Sequence, residues 1–160
     1  MHTDLWNFAL KVYARPGVET ACLQWQDLGG DVCLLLCAAW LNSRGAQASE
    51  QRMQALREVA ETWQKEVTGP LRSLRRQWRQ AAIEDSQLAR LREQVKGLEL
   101  EAERVLLERL QIASEGWCSA TGAESDWLHY LAPRDVGLHH DALDTLRAVM
   151  LSTQDAEDGV

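Results

Sequence analysis

The sequence predicts an all-α fold: a compact multi-helix bundle with a central apolar N-terminal helix and one long charged helix. Three observations predict it. Leucine, alanine, glutamate, glutamine and arginine fill most segments, while valine and isoleucine are few. No segment alternates apolar and polar residues with the two-residue period of a strand. Apolar residues recur instead at steps of three and four. The chain has 160 residues, 46% of them in the set AVILMFWYC. That is enough for one domain with a real core and no need of a disulfide or a metal.

Each element has its own local signals. Leu5, Phe8, Ala9, Val12 and Tyr13 mark the inner face of a first helix, with Thr3 or Asp4 as its cap. Pro16-Gly17 interrupts it, and Pro16 is tolerated in the first turn of the next helix. Val18, Ala21, Cys22, Trp25 and Leu28 line this second helix, which Gly29-Gly30 ends. Asp31 caps a third helix carrying VCLLLCAAWL, which is apolar all round and therefore central. Its end falls near Asn42 to Gly45, and the polar stretch Gly45 to Glu50 is the best internal boundary. Ser49 caps a fourth helix with Met53, Leu56, Ala60, Trp63 and Val67 inward. Thr68-Gly69-Pro70 is expected to break it. A fifth helix then places Leu71, Leu74, Trp78 and Ala81 or Ala82 on one side.

Asp85 or Ser86 starts the long sixth helix. Leu88, Leu91, Val95, Leu98, Ala102 and Val105 predict a heptad-like seam, which Leu106, Leu110 and Ala113 extend. Gly116 to Glu124 reads as a loop, and Ser125 as the cap of a short helix with Trp127, Leu128, Tyr130 and Leu131. A last helix carries Leu138, Ala142, Leu143, Leu146, Val149 and Met150. The expected organisation is a single helical domain over 1–151, with segments 1–45, 49–116 and 125–151, and an acidic flexible tail over 152–160.

Composition narrows the function. The net charge is -7, which disfavours a general nucleic-acid binder. Residues 117–160 hold eight acids against two bases, so nearly all the excess acidity is C-terminal. The longest apolar run, Val32 to Leu41, is about half of a membrane span. The start MHTDLWNFAL lacks a basic region followed by an apolar stretch, so cytoplasmic residence is expected. Cys22, Cys33, Cys37 and Cys118 read as buried, reduced thiols; Cys33 and Cys37 sit four apart on one face of the apolar run, the spacing of a metal or redox pair, but no histidine lies near to complete four ligands. His139 and His140 are adjacent on a helix start and point apart, and His140 with Asp144 makes only two candidate ligands, too few for a metal site. HExxH, CxxC, GxGxxG, GxSxG and a phosphate loop are all absent. No cofactor or reaction is implied, and a non-enzymatic protein is the first expectation.

Two constellations remain. Arg72, Arg75, Arg76 and Arg79 fall on one helical face, with Trp78 toward the other side. Four guanidiniums in two turns repel unless anions answer them. Acids of neighbouring helices are the plain answer; an acidic protein partner, or a nucleic acid or anionic surface, is the functional one. Arg15, Trp25, Asp27, Asp31 and Trp40 surround the first interhelical turns and could line a small pocket, or serve as caps and satisfied buried groups. The long seam also allows a homodimer.

The stretch LWNFALKVYARPGVETACLQWQDLGGDVCLLLCAAWL carries Leu5-Trp6, Tyr13, Pro16-Gly17-Val18, Cys22-Leu23, Gln26-Asp27, Gly30, Asp31-Val32, Leu34-Leu35-Leu36 and Trp40 in order. In this it resembles a proteobacterial family of small proteins, of Pseudomonas and Vibrio type, that carry a domain of unknown function. The resemblance covers about the first 45 residues. It implies a small bacterial cytosolic domain and supplies no catalytic residues. The first reading is therefore an interaction or regulatory domain binding an acidic partner surface. The alternatives are a small-molecule-binding protein or enzyme with a pocket among the N-terminal helices, and an anion or nucleic-acid binder through the arginine face.

Overall fold

In the computed structural model, residues 4–27, 29–117 and 126–131 are described, together with Asp144 and Ala148. All regular structure among them is helical. Helices α1 (Asp4–Tyr13), α2 (Val18–Asp27) and α3 (Val32–Ser43) are joined by turns in which Gly17 and Gly29 adopt φ of 86° and 90°. This left-handed region favours glycine, and it reverses the chain sharply after α1 and α2. Asp31 caps α3 by accepting the Leu34 amide at 3.2 Å. From Cys33 to Leu41 every residue of α3 is buried. Burial on all sides makes this helix the axis of the core, as its unbroken apolar run predicts.

Helix α4 (Glu50–Trp63) starts at Ser49, whose hydroxyl accepts the Arg52 amide at 3.2 Å. Met53, Leu56 and Ala60 are its buried face. The expected break at Thr68-Gly69-Pro70 does not occur. One π turn (Gln64–Thr68) leads directly into α5 (Gly69–Gln77). Its wider ring lets the Gly69 amide reach the Gln64 carbonyl, five residues back. The same widening accommodates Pro70, which has no N–H to give and whose ring would otherwise crowd the preceding turn. Glycine is required beside it, because a Cβ at Gly69 would lie 2.5 Å from the Gln64 oxygen.

A 3₁₀ turn (Ala81–Ile83) then reverses the chain into α6 (Ser86–Ala113). Asp85 caps α6 by accepting the amides of Gln87 and Leu88 at 3.1 Å. At 28 residues this helix is about 42 Å long. Its buried line is Val95, Glu99, Ala102, Leu106, Leu107 and Leu110. The expected heptad seam is therefore corrected. Val95 and Ala102 are buried as expected, but Leu91 and Leu98 are 50% and 57% exposed, because the inner face is centred on the line through Val95, Glu99, Ala102 and Leu106 and both leucines lie to one side of it. Steps of four and three from Val95 stay on the inner face.

Short α7 (Trp127–Leu131) closes the core over α3. Trp127 is fully buried, its indole donating to the Ala46 carbonyl at 2.8 Å and its amide to the Asn42 side chain at 2.8 Å. Trp117 stacks on it at 5.8 Å. Trp63 ties α4 to α6 by donating to the Ala102 carbonyl at 2.9 Å. Cys22, Cys33 and Cys37 are buried and unbridged, and burial pushes the Cys22 thiol up to about 11. Cys118, the Ser125 cap, His2, His139, His140 and the tail 152–160 lie outside the described residues. So does most of the last predicted helix, of which Asp144 and Ala148 are described and helical.

Among the described residues, the main apolar cluster takes none between Ala60 and Leu106, with Trp63 packing against its edge. The π turn, α5, the 3₁₀ turn and the first half of α6 thus form a helical hairpin, the arm, that adds no residue to this cluster. No residue of α5 or of the 3₁₀ turn is buried.

Candidate functional site: a charged cluster and its cleft

Polar side chains join α5 to α6 where an apolar layer would be expected. Arg72 and Arg75, three apart on α5, face Glu99 at the middle of α6. Arg72 donates through Nε to Glu99 Oε1 at 3.0 Å, and Arg75 through Nε to Oε2 at 2.6 Å. Arg75 Nη2 adds a third bond to Oε1 at 3.3 Å. One turn further along α6, Glu103 Oε1 lies 3.6 Å from Arg72 Nη2. Arg92 donates to the Arg75 carbonyl at 2.9 Å, fixing the end of α5 against α6. The Glu99 side chain is only 10% exposed. Burial raises its carboxyl, but the hydrogen bonds and charges of Arg75 and Arg72 outweigh burial and hold it below the ordinary value.

The cluster continues toward the α2–α3 turn. The Gln26 carboxamide, oxygen toward the guanidinium, lies 2.9 Å from Arg72 Nη2. Asp31 sits beside it at the start of α3. Burial pushes the Asp31 carboxyl up, and hydrogen bonds from the Leu34 amide, the Gln64 side chain and the Cys33 amide, with the Arg72 charge, pull it part of the way back. Glu103 is raised as well, by burial first and by the charges of Glu99 and Asp31, against the attraction of Arg72. Between the α2–α3 turn, the π turn and α6 a cleft of about 200 Å³ opens. Asp31, Gln64, Arg72 and Glu103 line it, with Gly29 and Gly30 at its rim. Gly30 must lack a side chain, because a Cβ there would lie 2.2 Å from the Trp25 indole nitrogen. The π turn contributes by presenting Gln64 to this cleft.

The two constellations of the sequence therefore meet in one place, but not whole. Arg72 and Arg75 point inward to acids of α6, whereas Arg76 and Arg79 are exposed. Trp78 is half-buried at the end of α5. Of the N-terminal group, Asp31 lines the cleft. Trp25 lies beneath its glycine rim, and Trp40 belongs to the core at 6% exposure with the Arg44 guanidinium 4.8 Å over its ring. Asp27 is exposed and Arg15 half-buried. Sequence reasoning missed Gln26, Gln64, Glu99 and Glu103. Glu99 and Glu103 belong to a long run of alternating charges that reads as a solvated face. The signal for Glu99 was its place between Val95 and Ala102 on the four-three line.

No group of three or more histidine, cysteine, aspartate or glutamate residues suited to a metal ion occurs among the described residues. No helix among them is long and apolar enough to cross a membrane. Neither the curated proteins nor the solved structures include a match to the chain. A family model does match, and it reaches well beyond the N-terminal signature, through the charged cluster and most of α6. Its span of residues 4–110 places the chain in DUF2390, a family described as protein of unknown function.

Proposed function

We propose that the chain is a non-enzymatic interaction or regulatory domain whose α5–α6 arm meets an acidic surface of a protein partner. One observation carries this reading: the arm adds no residue to the main apolar cluster, and its outer side is exposed. That side bears the exposed guanidiniums of Arg76 and Arg79, and the arm exposes Leu74 and Ile83, the latter at 72%. Apolar side chains supply contact area and arginines supply bidentate pairing and steering toward acids. Trp78, between the two kinds of group, is the natural anchor. Arg72 and Arg75, engaged by Glu99, hold the arm rather than the partner. Buried, unbridged cysteines suit the cytoplasm, where we place the domain.

The test is recovery of partners by the full chain from its source cells, against the variant Arg76→Glu/Arg79→Glu. The variant should keep the wild-type urea midpoint and lose a stoichiometric acidic partner. Equal recovery by both chains would remove this surface from consideration. A homodimer is the second reading, favoured by Leu91, Leu98 and Ile112 being exposed at steps of seven and fourteen along α6. Sedimentation equilibrium decides it: a monomer mass at all concentrations eliminates the dimer. Binding to RNA or DNA through the same guanidiniums would oppose the overall charge of -7.

A further inference from the structure

We propose that the cleft beside Asp31 and Glu103 binds a small organic cation, an aliphatic primary ammonium. This site is separate from the arm surface and stands or falls without it.

Charge and hydrogen bonding across the cluster do not balance. Three carboxylates, Asp31, Glu99 and Glu103, face two guanidiniums, Arg72 and Arg75. Glu99 takes three hydrogen bonds from both guanidiniums. Glu103 is left with Arg72 Nη2 at 3.6 Å, beyond hydrogen-bonding distance. Its carboxylate lines the cleft and accepts no hydrogen bond from any described residue. Burial is the first cause that raises both carboxyls, and for Glu103 the charges of Glu99 and Asp31 add to it against the attraction of Arg72.

The chemistry of the walls selects the ligand. An anion finds no vacant donor set: the Arg72 guanidinium already faces Glu99, Glu103 and Gln26, and Asp31 itself closes the N-terminus of α3. A metal ion lacks a third suitable ligand among the described residues. An ammonium group presents three donors, matching the Glu103 carboxylate, the Asp31 carboxylate and the carboxamide oxygen of Gln64. A short alkyl chain then lies against Val32 and the bare backbone of Gly29-Gly30. A volume of about 200 Å³ accommodates only a small molecule of this kind.

The experiment titrates the labelled full chain with n-butylammonium chloride, following backbone amides by NMR. The expected result is a saturable shift of the Gly29, Gly30 and Cys33 amides that the neutral isostere n-butanol does not produce. Glu103→Gln should weaken this binding by about tenfold or more, as loss of a hydrogen bond to a charged group does. Glu101→Gln, on the exposed side of the same helix, should leave it unchanged. A non-saturable response, an equal response to n-butanol, or unchanged affinity in Glu103→Gln overturns the proposal. Sodium acetate on the wild-type chain makes the same decision without any variant: saturable shifts with acetate and none with n-butylammonium would assign the cleft to anions instead.

Discussion

At position 99 a carboxylate occupies a place where the helical rhythm of α6 would put an apolar side chain. It is satisfied there only because two guanidiniums converge on it. Removing one partner of such a buried group costs about 3–5 kcal/mol, since the other is left uncompensated. Glu103, one turn away, is in the opposite situation: burial and the charges of Glu99 and Asp31 raise its carboxyl. Its folded pKa is raised above the ordinary 4.5, so the folded chain holds that proton more tightly than the unfolded chain does. The stability tied to that proton is fully present below about pH 4.5 and is lost as pH rises through the folded pKa. Glu103→Gln is therefore expected to be more stable than wild type at pH 7, with the difference shrinking toward zero below pH 4.5. Urea unfolding at the two pH values reads this directly. Glu99 runs the other way: its depressed pKa contributes stability above its ordinary value that is lost as pH falls through the folded one.

At the scale of elements, α6 divides into a line that packs and a line that does not. Leu106 is fully buried and Leu98 is 57% exposed. Leu106→Ala is expected to cost about 2–5 kcal/mol, and Leu98→Ala less than about 0.5 kcal/mol, by chemical denaturation. The π turn gives a second prediction. Gly69→Ala forces a Cβ against the Gln64 carbonyl, and overpacking against backbone should destabilise by about 1–3 kcal/mol in the same assay. These elements also differ in how legible they are in the sequence. The caps Asp31, Ser49 and Asp85 are legible, because a cap depends on its own residue and the next turn. The all-apolar α3 is too. The register of α6 is not: leucines at 91 and 98 mimic a seam, while the true line includes a glutamate that only its partners explain. Thr68-Gly69-Pro70 reads as a stop signal, and the π turn that carries the helix through it has no local sequence mark.

For the molecule as a whole, the candidate site is legible in the sequence as separate residues and not as a place. Asp31 and Arg72 lie far apart in the chain, and nothing in local pattern joins them. Tertiary packing does so by laying the π turn and α5 against α6 beside the α2–α3 turn. The resulting molecule has two regimes. One half is an apolar core around α3, α4, α7 and the end of α6. The other is a hairpin held by Arg72, Arg75 and Glu99, leaving Arg76 and Arg79 outside. Local stability follows buried apolar contact, so the arm should open more readily than α3.

Native-state hydrogen exchange of wild type and Glu99→Gln tests that division most directly. Wild-type amides of α5 are expected to exchange faster than those of Leu35 to Leu41. Glu99→Gln is expected to lower protection across α5 and the first half of α6 while α3 keeps its own. Equal protection of arm and core in wild type, or an even loss over both in the variant, would contradict an arm held by its charged cluster.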